Sequence, residues 1–213
     1  MKIGILRFLG TNSEFDVAQA IQEAGGESEF LWFEDRFEFK NYGALILPGG
    51  FAYGDYLRCG ALAARAPAMD CVREAAEFGL PVLGICNGFQ ILCESGLLPG
   101  ALLRNQSGRF IDRWARLKTA TPNPYFPVPG DCILPVDHGE GRYFVQPEIL
   151  QSLYDHGQVW LTYADNPNGS VDGIAGVTNQ NKNVAALMPH PDRAFADWMG
   201  HSSGLAFFTK VCQ

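Results

Sequence analysis

Long apolar runs are missing from this sequence. The longest, Gly43–Pro48 and Leu80–Cys86, fall far short of the roughly 18 residues a membrane-spanning helix requires. Charge is sparse at 18% of residues, and its balance is negative: net −7, with a pI near 5.0. An acidic chain repels a phosphate backbone, which argues against nucleic acid as a partner. The six cysteines (Cys59, Cys71, Cys86, Cys93, Cys132, Cys212) include no C-x-x-C pair. Met1–Gly10 carries an early Lys2, but Arg7 and then Thr11–Glu14 interrupt any signal-like apolar stretch. The expectation is a cytoplasmic protein with free thiols, in which the Asn105-Gln-Ser107 and Asn168-Gly-Ser170 glycosylation patterns carry no meaning. Repeats, low-complexity tracts and long linkers are absent as well. What is present is enough apolar side chain, 47% of 213 residues, for one domain with a full core. That composition excludes disorder of the whole chain.

Strands and helices alternate through the first half. Lys2–Phe8 reads as a strand, followed by a helix capped by Asn12 or Ser13 and ended by Gly25-Gly26. Glu29–Phe33 and Ala44–Leu47 read as the next strands, the latter closed by Pro48-Gly49-Gly50. Leu62–Phe78 has a helical composition, Pro81–Ile85 reads as a strand buried on both faces, and Gly88–Ser95 as a helix. This alternation implies an α/β fold, a mostly parallel sheet covered by helices on both sides. After about Ala101 the pattern changes to short β-like pieces: Arg113–Thr119, Cys132–Val136, Val159–Tyr163, Ile174–Thr178 and Val184–Leu187. They read as antiparallel additions to the same sheet, before a last helix over Ser203–Cys212. The aromatic, acidic run Phe30–Lys40 reads as a strand followed by a solvated loop or short helix, in preference to a binding patch.

Gly84-Ile85-Cys86-Asn87-Gly88 is the most informative stretch. It is G-x-C-x-G between an apolar strand and a helix, the cysteine form of the nucleophile elbow. A sharp strand-to-helix turn strains the nucleophile's backbone, and glycine neighbours relieve the crowding. The thiol would stand above the carboxyl edge of the sheet at a helix N-terminus, where the partial positive charge favours thiolate. The other five cysteines read as structural. A thiol nucleophile needs a base, and the base needs a group to orient it. His156 and His201 sit in polar or glycine-rich surroundings and read as surface residues. His190 lies in Met188-Pro189-His190-Pro191-Asp192-Arg193, just after an apolar run. Residues i and i+2 of an extended segment share a face, so Asp192 can reach the ring of His190. Backbone N–H groups best form an oxyanion hole. One follows from the elbow, that of Asn87, and the glycine turn Leu47–Phe51 offers a second, that of Gly50. The same turn lacks the lysine and spacing of a phosphate loop. His138-Gly139-Glu140-Gly141 has no second His at helical spacing, so no metal site is expected.

These segments resemble the class I (triad) glutamine amidotransferases. Within that family they are most similar to the branch of glutaminase subunits that serve phosphoribosylformylglycinamidine synthases. The resemblance spans nearly the whole chain, residues 1–213 as one type 1 domain. It is carried by Arg7–Asn12, Leu47–Gly60, Gly84–Gln90, Asn105–Phe110, His138–Tyr143, Asn166–Ser170 and Met188–Ala194. It implies a three-layer, flavodoxin-like α/β fold. It also implies that Cys86 attacks the carboxamide of glutamine, that His190 protonates the departing ammonia, and that Gly50 and Asn87 stabilise the oxyanion. Phe51, Gln90, Ser107, Arg109 and Phe110 would line the glutamine pocket. Ammonia would pass to a separate synthetase subunit that uses ATP and Mg, with a small accessory subunit completing the assembly; this chain itself would bind no cofactor. Low glutaminase activity of the isolated chain, rising when the synthetase is added, follows from the same resemblance.

One residue departs from the family pattern His-x-Glu: Asp192 is shorter than glutamate by one C–C bond, roughly 1.5 Å. Misplacing a catalytic contact by about 1 Å costs on the order of 10²-fold. Because other triads use Asp in this role, Asp192 is still expected to orient His190. Two alternatives remain at this stage: a stand-alone cysteine peptidase or amidase of the same fold, and a non-catalytic regulatory subunit that has lost its site.

Overall fold

The structure is a computed structural model that describes residues 1–130 and 132–213. Its eleven strands are β1 (Lys2–Arg7), β2 (Glu27–Trp32), β3 (Ala44–Leu47), β4 (Val82–Ile85), β5 (Ala101–Leu103), β6 (Ile111–Thr119), β7 (Cys132–His138), β8 (Arg142–Phe144), β9 (Val159–Tyr163), β10 (Ile174–Thr178) and β11 (Val184–Leu187). Among the described residues the five α-helices are α1 (Glu14–Glu23), α2 (Ala68–Phe78), α3 (Asn87–Glu94), α4 (Pro147–Asp155) and α5 (Ala206–Cys212). Nine strands form one sheet in the order β2-β1-β3-β4-β11-β10-β9-β6-β7. From β2 to β11 the neighbours run parallel, and from β11 to β7 every pairing is antiparallel.

Burial explains the two halves. Every residue of β3, β4, β10 and β11 is buried, as their unbroken apolar sequences require of strands covered on both faces. Strand β7 alternates buried and half-buried residues, and β6 is mostly exposed toward the sheet edge. Helices α1 and α5 pack on β1 and on each other, and α3 packs on β3, β4 and β11. Under the antiparallel half, Trp160 and Phe207 meet edge to face at 5.6 Å, with Phe126 beside Trp160. The result is a three-layer α/β sandwich.

Several local readings need correction. The expected helix Leu62–Phe78 is split: a short turn at Ala63–Arg65 precedes α2, and Pro67 separates the two. A proline has no N–H to continue the helix and holds the preceding Ala66 in an extended conformation. Val184–Leu187 is not simply an antiparallel addition. It pairs antiparallel with β10 but parallel with β4, and so joins the two halves. Helix α4, with Pro147 in its first turn, and the small sheet of β5 and β8 went unread. The run Phe30–Lys40 sends Phe33 and Phe37 into or against the core, as its strand-and-loop reading requires.

The elbow depends on two glycines. A Cβ on Gly84 would come 2.8 Å from the carbonyl of Gly88, and one on Gly88 would overlap the carbonyl oxygen of Leu47. Helix α3 can therefore lie against β3 and β4 only if both positions lack side chains. Gly88→Ala is expected to destabilise the fold by about 3 kcal/mol, the upper range for overpacking against unyielding backbone. Urea unfolding measures this, and a loss below about 0.5 kcal/mol would show that the helix can shift at no cost.

Candidate active site

Strand β4 delivers Cys86 to the start of α3 with φ 51° and ψ −105°, a left-handed conformation that a non-glycine residue adopts only under constraint. The constraint is visible. The Cys86 N–H donates to the carbonyl of Leu187 at 2.9 Å, and its own carbonyl accepts from Phe89 and Gln90 at 2.9 and 3.3 Å. Cys86 is 6% exposed.

His190 follows β11 by three residues. Its N–H donates to the carbonyl of Pro135 at 2.8 Å, which ties the segment to β7. Its ring Nδ1 lies 3.2 and 3.4 Å from the two carboxylate oxygens of Asp192, while the Cys86 thiol, which lines the same cleft, donates to the Asp137 carbonyl at 3.8 Å. The shorter aspartate thus reaches the ring directly. Burial works against a charged imidazole here, but the interactions of the ring with Asp192 and Cys86 outweigh it and raise the His190 pKa to about 10. Next to them, the Arg193 guanidinium bridges Asp16 at 3.2 Å and Asp137 at 2.6 Å, fastening α1 and β7 to the histidine segment. Burial and the nearby Asp192 raise the Asp16 pKa.

The turn Pro48-Gly49-Gly50 faces the thiol and the imidazole. A Cβ on Gly49 would stand 2.7 Å from Cε1 of His190 and 3.5 Å from Cβ of Cys86. The Gly49 carbonyl accepts from the N–H groups of Asn12 and Ser13, at 3.3 and 3.4 Å, ahead of α1. Because a peptide is planar, the Gly50 N–H points the opposite way, away from α1. Gly50 lines the cleft and has φ 143°, with a built Cβ only 2.7 Å from the carbonyl oxygen of Gly10. The Asn87 N–H opens α3, where a helix leaves its first donors without intrahelical partners.

Cys86, His190 and Gly50 share a cleft of about 290 Å³ with Phe51, Gln90, Arg109 and Phe110. Ser107 does not line it; its exposed side chain accepts the N–H of Arg109 at 3.3 Å. Asp55, Cys59, Arg104, Asp137, His138 and Glu140 line it too, and no local pattern in the sequence gives them a part in the site. Cys59, read as structural, is half-buried and donates to Glu140 at 3.2 Å. The Asn87 side chain does more than its place in the elbow implies. Its Oδ1 accepts the Ala52 N–H at 3.1 Å and its Nδ2 donates to Gln90 at 2.8 Å, while Gln90 donates to the Glu140 carbonyl at 2.7 Å. The loops on either side of the cleft are thereby joined through the elbow helix. Among the described residues no group of three or more His, Cys, Asp or Glu side chains is arranged to hold a metal.

Residues 1–204 match the model of the CobB/CobQ-like glutamine amidotransferase domain. The chain belongs to the glutamine amidotransferase family. A chain in the structure of PurLQS from Thermotoga maritima is 39% identical to it, over 99% of this chain and 96% of that one, with a TM-score of 0.88. A glutamine amidotransferase from Thermotoga maritima shares the fold at 17% identity, over 91% of this chain and 77% of that one, with a TM-score of 0.62. Neither the stand-alone peptidase or amidase reading nor the non-catalytic one is favoured by these relationships.

Asn87→Ala removes the acceptor for a buried backbone N–H and the donor to Gln90. A loss of about 1–3 kcal/mol in unfolding free energy is expected, the range for buried polar groups left unpaired. Denaturant titration checks this, and an unchanged midpoint would mean that the loop finds another partner.

Proposed function

We propose that the chain is the glutaminase subunit of a phosphoribosylformylglycinamidine synthase, acting in the cytoplasm. The observation that carries the chemistry is the strained Cys86 sharing one cleft with a buried His190–Asp192 pair, both beside Gly49. The 39% identity to a chain of PurLQS over nearly the full length supports the branch.

In this reading the Cys86 thiolate forms an S–C bond to the carboxamide carbon of glutamine. The electron pair moved onto oxygen is held by the N–H groups of Gly50 and Asn87. As the tetrahedral adduct collapses, the C–N bond breaks, and the His190 imidazolium gives its proton to the leaving nitrogen, which departs as ammonia. Neutral His190 then takes a proton from water, the water oxygen bonds to the thioester carbon, and the C–S bond breaks to release glutamate. Asp192 holds the ring and favours its charged form throughout. Gln90, Phe51, Arg109 and Phe110 bound the substrate, and Ser107 supports their loop by accepting the Arg109 N–H. Ammonia passes to a synthetase subunit, where ATP and Mg drive amination of formylglycinamide ribonucleotide. A small accessory subunit completes the complex, and this chain binds no cofactor of its own.

Glutamate release from glutamine tests the reading, with the purified chain alone and with the synthetase subunit. Turnover should rise on adding the synthetase. It should disappear in Cys86→Ala, and a glutamine-shaped inactivator should label Cys86 selectively. Unchanged turnover without the thiol would overturn the assignment.

Asp192→Asn tests the pair. Removing the carboxylate charge lowers the His190 pKa, so the imidazolium is lost at a lower pH. The alkaline limb of the kcat/KM profile should move to lower pH, and kcat should fall by on the order of 10²–10⁴-fold. An alkaline limb that stays in place would mean that Asp192 does not govern the histidine's charge.

A further inference from the structure

Strand β7 ends the nine-stranded sheet and pairs there with β6 alone. An edge strand has ladder bonds on one side only, so its end must be fixed by other contacts. The position of this end matters, because the carbonyl of Asp137 accepts the Cys86 thiol at 3.8 Å. The ladder itself works against that position. Asp137 stands directly opposite Asp112 of β6, and like charges facing each other across paired strands repel.

Arg193 supplies the hold that the ladder lacks. Its Nη1 donates to Asp137 at 2.6 Å and its Nε to Asp16 of α1 at 3.2 Å. The Arg193 and Asp137 side chains are 31% and 34% exposed, so water competes less with their pairing than at an open surface. The backbone sets where Arg193 starts. Pro191 opens the turn Pro191–Arg193, the Arg193 N–H returns to the His190 carbonyl at 3.3 Å, and any side chain at Gly204 would overlap the Pro191 carbonyl. Arg193 is thus an arm of the histidine segment that reaches the end of β7. It also lines the cleft, but its Nε and Nη1 are taken by the two carboxylates.

We infer that Arg193 is a positioning residue of the glutaminase site: by clasping Asp137 it sets the carbonyl that holds the Cys86 thiol, and with it the aim of that thiol at His190. When Cys86 ionises, its S–H bond breaks and the proton forms an N–H bond at Nε2 of His190, since Nδ1 faces Asp192. The thiol leaves the Asp137 carbonyl for the ring in that step, so the step depends on where the carbonyl stands. Arg193 touches neither the sulfur nor the transferred proton and acts through Asp137. The inference deepens the glutaminase reading and rests on it for the turnover measurements alone.

Two substitutions open the clasp from opposite sides. In the full-length chain assayed with its synthetase subunit, Arg193→Gln and Asp137→Ala should each lower kcat on the order of 10–10²-fold, the cost of a contact misplaced by about 1 Å, with KM for glutamine within about threefold. In the Asp137→Ala background, Arg193→Gln should cost less than about a further threefold, because residues that act through one contact do not add. Iodoacetamide labelling of Cys86, followed by mass spectrometry, needs no glutamine and reads the same proton transfer. At neutral pH it should slow about tenfold in Arg193→Gln. Packing loosened at large would instead uncover the buried thiol and speed it. A kcat within threefold of the parent in both single variants, a loss carried by KM, a full second loss in the double variant, or faster labelling overturns the inference. A parent chain that is labelled at Cys86 yet leaves glutamine intact removes the glutaminase reading, and the labelling rates then decide the role of Arg193 by themselves.

Discussion

The backbone of Cys86 is the point on which the rest of the site depends. A non-glycine residue in its conformation costs of order 1–3 kcal/mol, and such strain persists only where the surroundings over-determine it. Here the strand before it is buried on both faces and hydrogen-bonded on both sides, to β3 and to β11. The helix after it lies so close to β3 that Gly88 meets the Leu47 carbonyl. Neither element can move to relax the turn without losing buried contacts, so the thiol stays raised at the end of the sheet. The same closeness of α3 to β3 brings the Gly49–Gly50 turn beside the thiol.

A second tier of polar side chains converts that fixed point into a cleft. Asn87 and Gln90 run from the glycine turn to the Glu140 carbonyl, and Asn105 ties the loops at 105–109 and 138–141 together. Asn168 donates to the Gly141 carbonyl and accepts from Ser170. Loop backbone near a ligand carries many unpaired groups, and amide side chains, with donors at one end and acceptors at the other, are suited to pairing them. The cost of losing any one is high because the groups it serves are buried.

The parallel half of the fold was legible because continuous apolar runs bounded by glycine and proline have one reading, and the lengths of β3 and β4 follow from it, whereas the parallel pairing of β11 with β4 was not legible. The placement of Cys86 at an elbow and the nearness of His190 and Asp192 follow from backbone geometry: a strand-to-helix turn for one, alternation along an extended segment for the others. The position of Pro67 was visible, but helical composition on both sides masked its effect. The three-residue strands β5 and β8 are too short to show a period. The Asn168-Gly-Ser170 triplet reads locally as a glycosylation pattern without meaning, while its structural part, bracing a turn, depends on Gly141, distant in sequence. His138 and Asp55 stayed hidden for the same reason. Nothing local in a His-Gly-Glu-Gly stretch says that its histidine lines the cleft.

The parts of the cleft come from different halves of the sheet. The thiol, the glycine turn and the imidazole belong to β4, β3 and the end of β11, within the parallel core. The opposite wall, Arg104, Gly108–Phe110 and Asp137–Glu140, belongs to the antiparallel extension and its loops. Under the proposed function, bond breaking and substrate reading fall to separate parts of the sheet that meet at one seam. Sequence changes in the second part would then alter which amide is admitted and leave the first untouched.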